Sequence, residues 1–212
     1  MKKLIKLYDS NDIDRDLNLT AKKMQEGFIV VFPTETVYGL GTNGLNSYAV
    51  KKLFDVKKRS LNKPVSLLVS DINMIKTIAL NVSDLEWKLI EWFFPGPLTI
   101  VLNKQKCVPD ILTANNPTVG VRMPDDNIAL NLIKKAGIPI ATTSANISDE
   151  ASSLSIEEAI NQFGDDVDYY LDNGKSKMGI ASTVIKVENN KVRILRQGTI
   201  TKEEIEKICE VY

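Results

Sequence analysis

Three polar segments carry residue types able to grip an anionic ligand, and each follows a short apolar run. The first is Pro33-Thr34-Glu35-Thr36-Val37-Tyr38-Gly39-Leu40-Gly41. It sets two hydroxyls, a carboxylate and a phenol ahead of glycines that let the backbone turn tightly or approach a ligand. The second is Lys57-Lys58-Arg59-Ser60-Leu61-Asn62-Lys63-Pro64, at the expected end of a helix. A planar guanidinium fork beside a mobile ammonium matches a triphosphate. Cations at a helix C-terminus are also favoured by the helix dipole without any ligand. The third is Ala141-Thr142-Thr143-Ser144-Ala145-Asn146-Ile147-Ser148. Its hydroxyls and amide can hold phosphate or ribose, and the same composition suits an ordinary turn. Arg122 stands inside an apolar run where an unpaired charge would be costly, so it predicts a carboxylate partner or an anionic ligand.

The composition narrows the chemistry. The 212 residues include no histidine, which excludes a Ser-His-Asp triad, a Cys-His pair and any His-ligated metal. A reaction that runs on positioning and electrostatic stabilisation fits better, and phosphate chemistry is of that kind. Cys107 and Cys209 form no CxxC, so reduced thiols are expected and no zinc site. Net charge is zero, unlike a protein basic over its whole surface for nucleic acid. Residues 50–63 nevertheless hold Lys51, Lys52, Lys57, Lys58, Arg59 and Lys63 against Asp55 alone, which is either a solvated helix face or a local anion site. No apolar run reaches membrane-spanning length, and the start Met1-Lys2-Lys3-Leu4-Ile5-Lys6 turns charged too soon for a signal peptide. A cytoplasmic location is the expectation.

The elements that must position these segments alternate in type. The pattern predicts helices over Asp12 to Glu26, from a cap at Ser47, from the Ser83/Glu86 capping box to near Phe94, and from Asp126 to Ala136. Further capping boxes stand at Ser155/Glu158 and Thr201/Glu204. Strands are expected over Phe28 to Phe32, Val65 to Val69, Leu98 to Leu102, Thr118 to Met123, Ile138 to Ala141, Val167 to Leu171, Ser182 to Val187 and Val192 to Arg196. Glu188-Asn189-Asn190-Lys191 reads as a hairpin, so the sheet is mixed. The expectation is one α/β domain over 1–212, core about 10–200, with a twisted open sheet of about seven strands flanked by helices. Gly39, Gly41 and Gly44 spell GxGxxG, but the helix begins only near Ser47, a weak match to a dinucleotide fingerprint.

The segments PTETVYGLG (33–41), KKRSLNKP (57–64), FPGPLTIVL (94–102), VGVRMPD (119–125), TSANIS (143–148), STVI (182–185) and LRQG (195–198) resemble, in order, the YrdC-like threonylcarbamoyl-AMP synthases. The resemblance spans about Gly27 to Gly198 and is closest to the short, single-domain type. It implies an L-threonylcarbamoyladenylate synthase that uses ATP, Mg²⁺, L-threonine and bicarbonate or CO2. It also implies partner proteins that carry the threonylcarbamoyl group to tRNA. The family's Lys-x-Arg and Ser-x-Asn pairs map onto Lys57, Arg59, Ser144 and Asn146 as a nucleotide clamp, Lys57 and Arg59 serving as its catalytic cations. Asn62, Thr118, Ser152 and Arg196 map as further nucleotide contacts. Thr34 and Arg122 map as threonine contacts, with Tyr38, Thr143 and Ser182 lining the same pocket. No protein ligand for the metal is implied. The chain departs from the family where Lys58 and Ser60 replace the usual Gly and Pro, where Asp149 replaces Gly, and over Glu150 to Leu154, the stretch that holds Ser152.

Two other readings compete. An RNA-binding module would use the 50–63 patch on backbone phosphates of tRNA or double-stranded RNA, against which the neutral charge and few clustered aromatics argue. A carbamoyltransferase of the hydrogenase-maturation kind would need acylphosphatase and zinc-finger segments, for which this chain has neither the length nor the cysteines.

Overall fold

In the computed structural model, which describes residues 3–212, strands and helices alternate along the chain. They are β1 (Lys3–Lys6), α1 (Ile13–Gln25), β2 (Val30–Phe32), β3 (Gly39–Asn43), α2 (Ser47–Lys57), β4 (Ser66–Leu68), α3 (Ile72–Ile78), β5 (Ala79–Leu80) and α4 (Asp84–Phe93). There follow β6 (Leu98–Lys104), β7 (Thr118–Arg122), α5 (Asn127–Ala136), β8 (Ile140–Ser144), α6 (Ile156–Phe163), β9 (Tyr169–Asp172), β10 (Thr183–Glu188), β11 (Lys191–Arg196) and α7 (Lys202–Glu206). One mixed sheet runs in the order β1-β9-β2-β3-β8-β4-β7-β6-β10-β11, with β5 paired to β6. The strands β1, β9 and β2 are mutually parallel, β3 and β8 run antiparallel to their neighbours, and β4/β7 and β6/β10 are parallel pairs.

The expected α/β class and mixed sheet are observed, but the sheet has eleven strands rather than about seven. Three of the additional strands carry little strand signal. In β1 the residues Lys3 and Lys6 flank Leu4 and Ile5 at a sheet edge, where charge discourages further pairing. The strand β5 has two residues. In β3, Gly-Leu-Gly-Thr-Asn lacks β-branched residues at four of five positions. Its glycines serve close packing: a Cβ at Gly41 would lie 2.9 Å from the Phe32 ring and 2.9 Å from Ile140. The GxGxxG reading therefore fails, because Gly39 and Gly41 lie inside a strand and not at a helix N-terminus. The cap of α2 is Asn46, which accepts from the Tyr48 and Ala49 amides, rather than Ser47. The Ser155 cap forms, but Glu158 turns to the Leu154 amide instead of closing the box.

Period-2 alternation divides the sheet into two unlike faces. Val31, Leu40, Leu67, Ile100, Val121, Ala141 and Ile185 point to one face and join α2, α3, α4 and α6 in the larger core. On the other face, Val30, Phe32, Ile140 and Leu171 pack under α1 and α5, whose Leu17, Ala21, Met24, Leu132 and Ile133 are buried against them. The remainder of that second face, from β3 across to β10, carries Gly39, Thr142, Ser66, Gly120, Thr99 and Ser182. Small and hydroxylic side chains there leave a concave space over the sheet instead of a second core. Gly120 preserves it, since a Cβ would stand 2.7 Å from the Ser66 hydroxyl.

The turn after β11 closes the far wall. Gly198 lies so close to the start of β10 that a Cβ would fall 2.3 Å from the Ala181 carbonyl oxygen and 2.5 Å from the Thr183 nitrogen. These are backbone atoms that cannot rotate away. Gly198→Ala should therefore cost at least about 1–3 kcal/mol, the usual penalty of overpacking, and lower the urea midpoint measured by circular dichroism. An unchanged midpoint would show that the turn moves freely.

Candidate functional site

The concave face forms a cavity of about 310 Å³. It is lined by Thr34, Thr36 to Gly39, Arg59, Pro64 to Ser66, Thr99, Gly120, Arg122, Thr142 to Ser144, Ala181, Ser182, Leu195 and Arg196. This volume sits at the lower end of small-molecule sites. The cavity brings together eight of the residues singled out in the sequence: Thr34, Tyr38, Arg59, Arg122, Thr143, Ser144, Ser182 and Arg196. The other five lie off its lining. Lys57 and Asn146 are buried directly behind Ser144, Asn62 is exposed, and Thr118 and Ser152 are half-buried.

The 34–38 turn follows β2 and is pinned from three sides. Tyr38 bonds the Ser153 carbonyl through its backbone N–H, and its own carbonyl accepts from the Ala145 amide. The Met178 and Gly179 amides donate to the Glu35 and Thr36 carbonyls. The Tyr38 hydroxyl donates to the Gly174 carbonyl at 2.6 Å, and burial holds its ionisation above the ordinary tyrosine range. The hydroxyls inside the turn are also committed: Thr34 donates to the Val37 carbonyl at 2.6 Å and stands 2.9 Å from the Thr36 hydroxyl.

Arg122 comes off the end of β7 almost fully buried and pairs with Glu35 at 2.6 Å. It also donates to the Thr36 hydroxyl at 3.0 Å and the Gly96 carbonyl at 3.3 Å. The carboxylate partner that its place in an apolar strand requires is thus Glu35, a residue of the first motif with no role assigned from sequence.

Arg59 and Arg196 approach the cavity from its two sides. Arg59 donates to the Lys63 and Pro64 carbonyls, each at 2.9 Å. Arg196 donates to the Ser182 carbonyl at 2.8 Å and to its hydroxyl at 3.1 Å, and that hydroxyl lies 2.9 Å from Thr99. Both guanidiniums are pushed below the usual arginine value, first by burial and then by a like charge, Arg196 acting on Arg59 and Arg122 on Arg196. Three cations crowded into one cavity, with a single ion-paired carboxylate behind them, make a site that favours an anion.

Lys57 has a different place from Arg59 although only one residue separates them. It is the last residue of α2, and the residue is 2% exposed. It donates to the Ser144 carbonyl at 2.6 Å and the Asn146 Oδ1 at 2.8 Å. Asn146 in turn donates to the Ile147 and Glu150 carbonyls. Lys57 thereby joins the end of α2 to the 144–150 segment, while Lys58 turns the chain toward Arg59. Lys58 and Asp149 adopt φ of +52° and +71°, the left-handed region where glycine is at home. These are two of the positions where the chain departs from the glycines of the family pattern. The motif geometry is thus kept by residues that carry some backbone strain and two extra side chains.

Among the described residues no three Asp, Glu, His or Cys side chains gather as a metal site, and no helix is long and apolar enough to cross a membrane.

Comparison with known proteins shows the family of the chain. Residues 22–198 match the Sua5/YciO/YrdC family, described as telomere recombination. A protein of Methanocaldococcus jannaschii, provisionally named a threonylcarbamoyl-AMP synthase, is 40% identical over 96% of both chains. The threonylcarbamoyl-AMP synthase of Pyrococcus abyssi is 38% identical over 91% of this chain, which spans only 56% of that protein's length. The crystal structure of P. abyssi Sua5 complexed with L-threonine matches with a TM-score of 0.93 at 34% identity, over 100% of this chain and 62% of that one.

The buried lysine makes a stability prediction. Burial first, and Arg59's charge second, hold the Lys57 ammonium down to about 7, with Asp149 opposing. Above that value and up to the ordinary lysine range, the unfolded chain binds a proton that the folded chain does not. Stability must therefore rise with pH across this window, and below about pH 7 the cost of burying the charge applies in full. Wild type should gain stability relative to Lys57→Met between pH 7 and 9 in urea titrations. A difference that stays constant with pH would show that Lys57 titrates as an ordinary lysine.

Proposed function

The chain belongs to the Sua5/YciO/YrdC family, and on that footing we propose that it is an L-threonylcarbamoyladenylate synthase, a nucleotidyltransferase. The observation that carries this reading is the arginine-lined cavity. ATP, the threonine carboxylate and the carbamate that forms on the amine are all anions that repel one another. A site that brings them together must supply cations, and Arg59, Arg122 and Arg196 are the cations present.

In this reading the neutral threonine amine takes up CO2 with release of a proton to solvent, or bicarbonate with loss of water, to give a carbamate. A carbamate oxygen attacks the α-phosphorus of ATP, pyrophosphate leaves with the electrons of the broken P–O bond, and threonylcarbamoyl-AMP remains. The nucleophile arrives already charged, so no strong protein base is needed for the attack, in keeping with a chain that has no histidine. Arg59 and Ser144 hold the triphosphate, with Arg196 on the opposite wall. Lys57 and Asn146 fix Ser144 from behind. Arg122, Thr34, Tyr38, Thr143 and Ser182 form the amino-acid side. Asn62, Thr118 and Ser152 lie off the cavity lining and are the further nucleotide contacts of this reading.

Among the described residues no carboxylate is in the cavity lining, so in this reading Mg²⁺ would enter with ATP as part of the substrate and would offset charge on the phosphates. A cytoplasmic protein of this kind would pass its product to proteins that transfer the threonylcarbamoyl group to an adenosine beside the anticodon of tRNA.

Pyrophosphate release from ATP tests the proposal. It should require both L-threonine and bicarbonate. Arg59→Ala and Asn146→Ala should weaken ATP binding, and Arg122→Ala should raise the threonine requirement. Each loss should correspond to about 1.5–3 kcal/mol, the worth of a hydrogen bond to a charged group. Salt-sensitive RNA binding without threonine-dependent pyrophosphate release would favour an RNA-binding module instead. Threonine dependence unmoved in Arg122→Ala would remove that residue from the amino-acid site.

A further inference from the structure

Between the end of β8 at Ser144 and the start of α6 at Ile156 the chain enters no helix or strand. Its backbone groups must therefore be satisfied one by one. Two side chains of α6, Glu158 and Gln162, stand one turn apart on the same side of the helix and meet part of this need. Glu158 accepts the Leu154 N–H at 2.7 Å. Gln162 accepts the Ile147 N–H through Oε1 at 2.7 Å and donates through Nε2 to the Ala151 carbonyl at 3.0 Å. A backbone N–H can only donate and a carbonyl can only accept, so the carboxamide has one orientation.

One planar side chain thus grips both ends of the loop from Ile147 to Ala151. The helix behind it is fixed, since Ile156, Ala159 and Phe163 are buried in the larger core. Inside the loop, the Ile147 and Glu150 carbonyls accept from the Asn146 carboxamide. That carboxamide turns Oδ1 to Lys57, which also bonds the Ser144 carbonyl. Support therefore runs from α6 through Gln162 to the loop, then to Asn146 and Lys57, and last to Ser144 at the cavity. Gln162 itself is not part of the cavity lining. The backbone of Ser153 is held separately, donating to the Ala145 carbonyl and accepting the Tyr38 N–H. The link from this segment to the amino-acid side does not pass through Gln162.

We propose that Gln162 is a positioning residue for the nucleotide side of the cavity, acting through Asn146. By holding the 147–151 loop it presents Ser144 and Asn146 to the triphosphate in one geometry. A loop released from α6 would have several arrangements, and ATP would bear the cost of ordering it. The inference rests on the nucleotide reading of Ser144 and Asn146 given above. It adds to that reading a residue outside the segments that carry the family resemblance, and one that need not touch the ligand.

Gln162→Leu keeps most of the side chain's bulk and removes both hydrogen bonds. ATP binding by calorimetry should weaken about tenfold, while the threonine dissociation constant stays within about twofold. If Gln162 acts through Asn146, the two residues form one unit. The double variant Gln162→Leu/Asn146→Ala should then bind ATP within about twofold of Asn146→Ala alone. Should leucine disturb the fold, seen as a lowered melting temperature, Gln162→Glu keeps the acceptor for Ile147 and loses only the donor to Ala151. It must show a smaller loss of ATP affinity with threonine affinity again unmoved. ATP affinity unchanged in Gln162→Leu, ATP and threonine affinity falling together, or the two losses multiplying in the double variant overturns the proposal. Wild type that binds no ATP, or Asn146→Ala with undiminished ATP affinity, overturns the nucleotide reading as well.

Discussion

Backbone carbonyls, not carboxylates, hold most of the cations around the cavity. Arg59 leans on the carbonyls of Lys63 and Pro64, Arg196 on that of Ser182, and Lys57 on that of Ser144. Arg122 alone has a carboxylate, and it takes the Gly96 carbonyl as well. A carbonyl satisfies a donor without cancelling its charge. The arginines are therefore fixed in place while the cavity keeps its positive potential. Carboxylates in the same positions would order the side chains as firmly and leave nothing for an anionic ligand to neutralise. Burial first, and like-charge repulsion second, lower the Arg59 and Arg196 values, which is the cost of this arrangement.

Carbonyls can serve in this way only where the backbone leaves its ladder, which ties the site to the ends of strands. Arg122 ends β7, Ser144 ends β8, Arg196 ends β11 and Ser182 immediately precedes β10. The carbonyls they use come from the segments at 63–64, 96 and 182, outside the regular sheet. Between these ends the sheet must not fill its own concavity. Gly39, Ser66, Thr99, Gly120 and Thr142 meet that demand on one face while Leu40, Leu67, Ile100, Val121 and Ala141 build the core on the other. The same alternation thus supplies stability and an empty space, and a larger side chain at any of the first set would reduce the second.

The sequence disclosed the helices other than α3, the mixed sheet and the three polar segments that meet at the cavity, because caps, periodicity and polar runs are local signals. It did not disclose β3, where glycines demanded by the Phe32 ring erase the strand pattern. Nor did it show that Thr142 to Ser144 lie in β8 rather than in the loop after it. The partner of Arg122 was legible in kind, a carboxylate, but not in identity, since Glu35 is 87 positions away and only the sheet brings them together. The separation of Lys57 from Arg59 was invisible for the opposite reason. They are near neighbours in sequence, and only the left-handed turn at Lys58 sends one into the core and the other to the cavity. The alternation of small and apolar residues along β4, β6 and β7 was available in the sequence, and it is the signal that could have located the cavity floor.

The position of Lys57 also links the cavity to the charge of a ligand. Its ammonium is held down to about 7, first by burial and then by the neighbouring charge of Arg59. A phosphate brought against Arg59 would offset that second influence and raise the lysine toward its ordinary value. Protonation strengthens its hydrogen bonds to Ser144 and Asn146, because an ammonium is a better donor than an amine. The anion would then tighten the cross-link that holds one wall of its own site. The chain has no histidine to sense charge near neutrality, and a lysine shifted by burial occupies that range in its place.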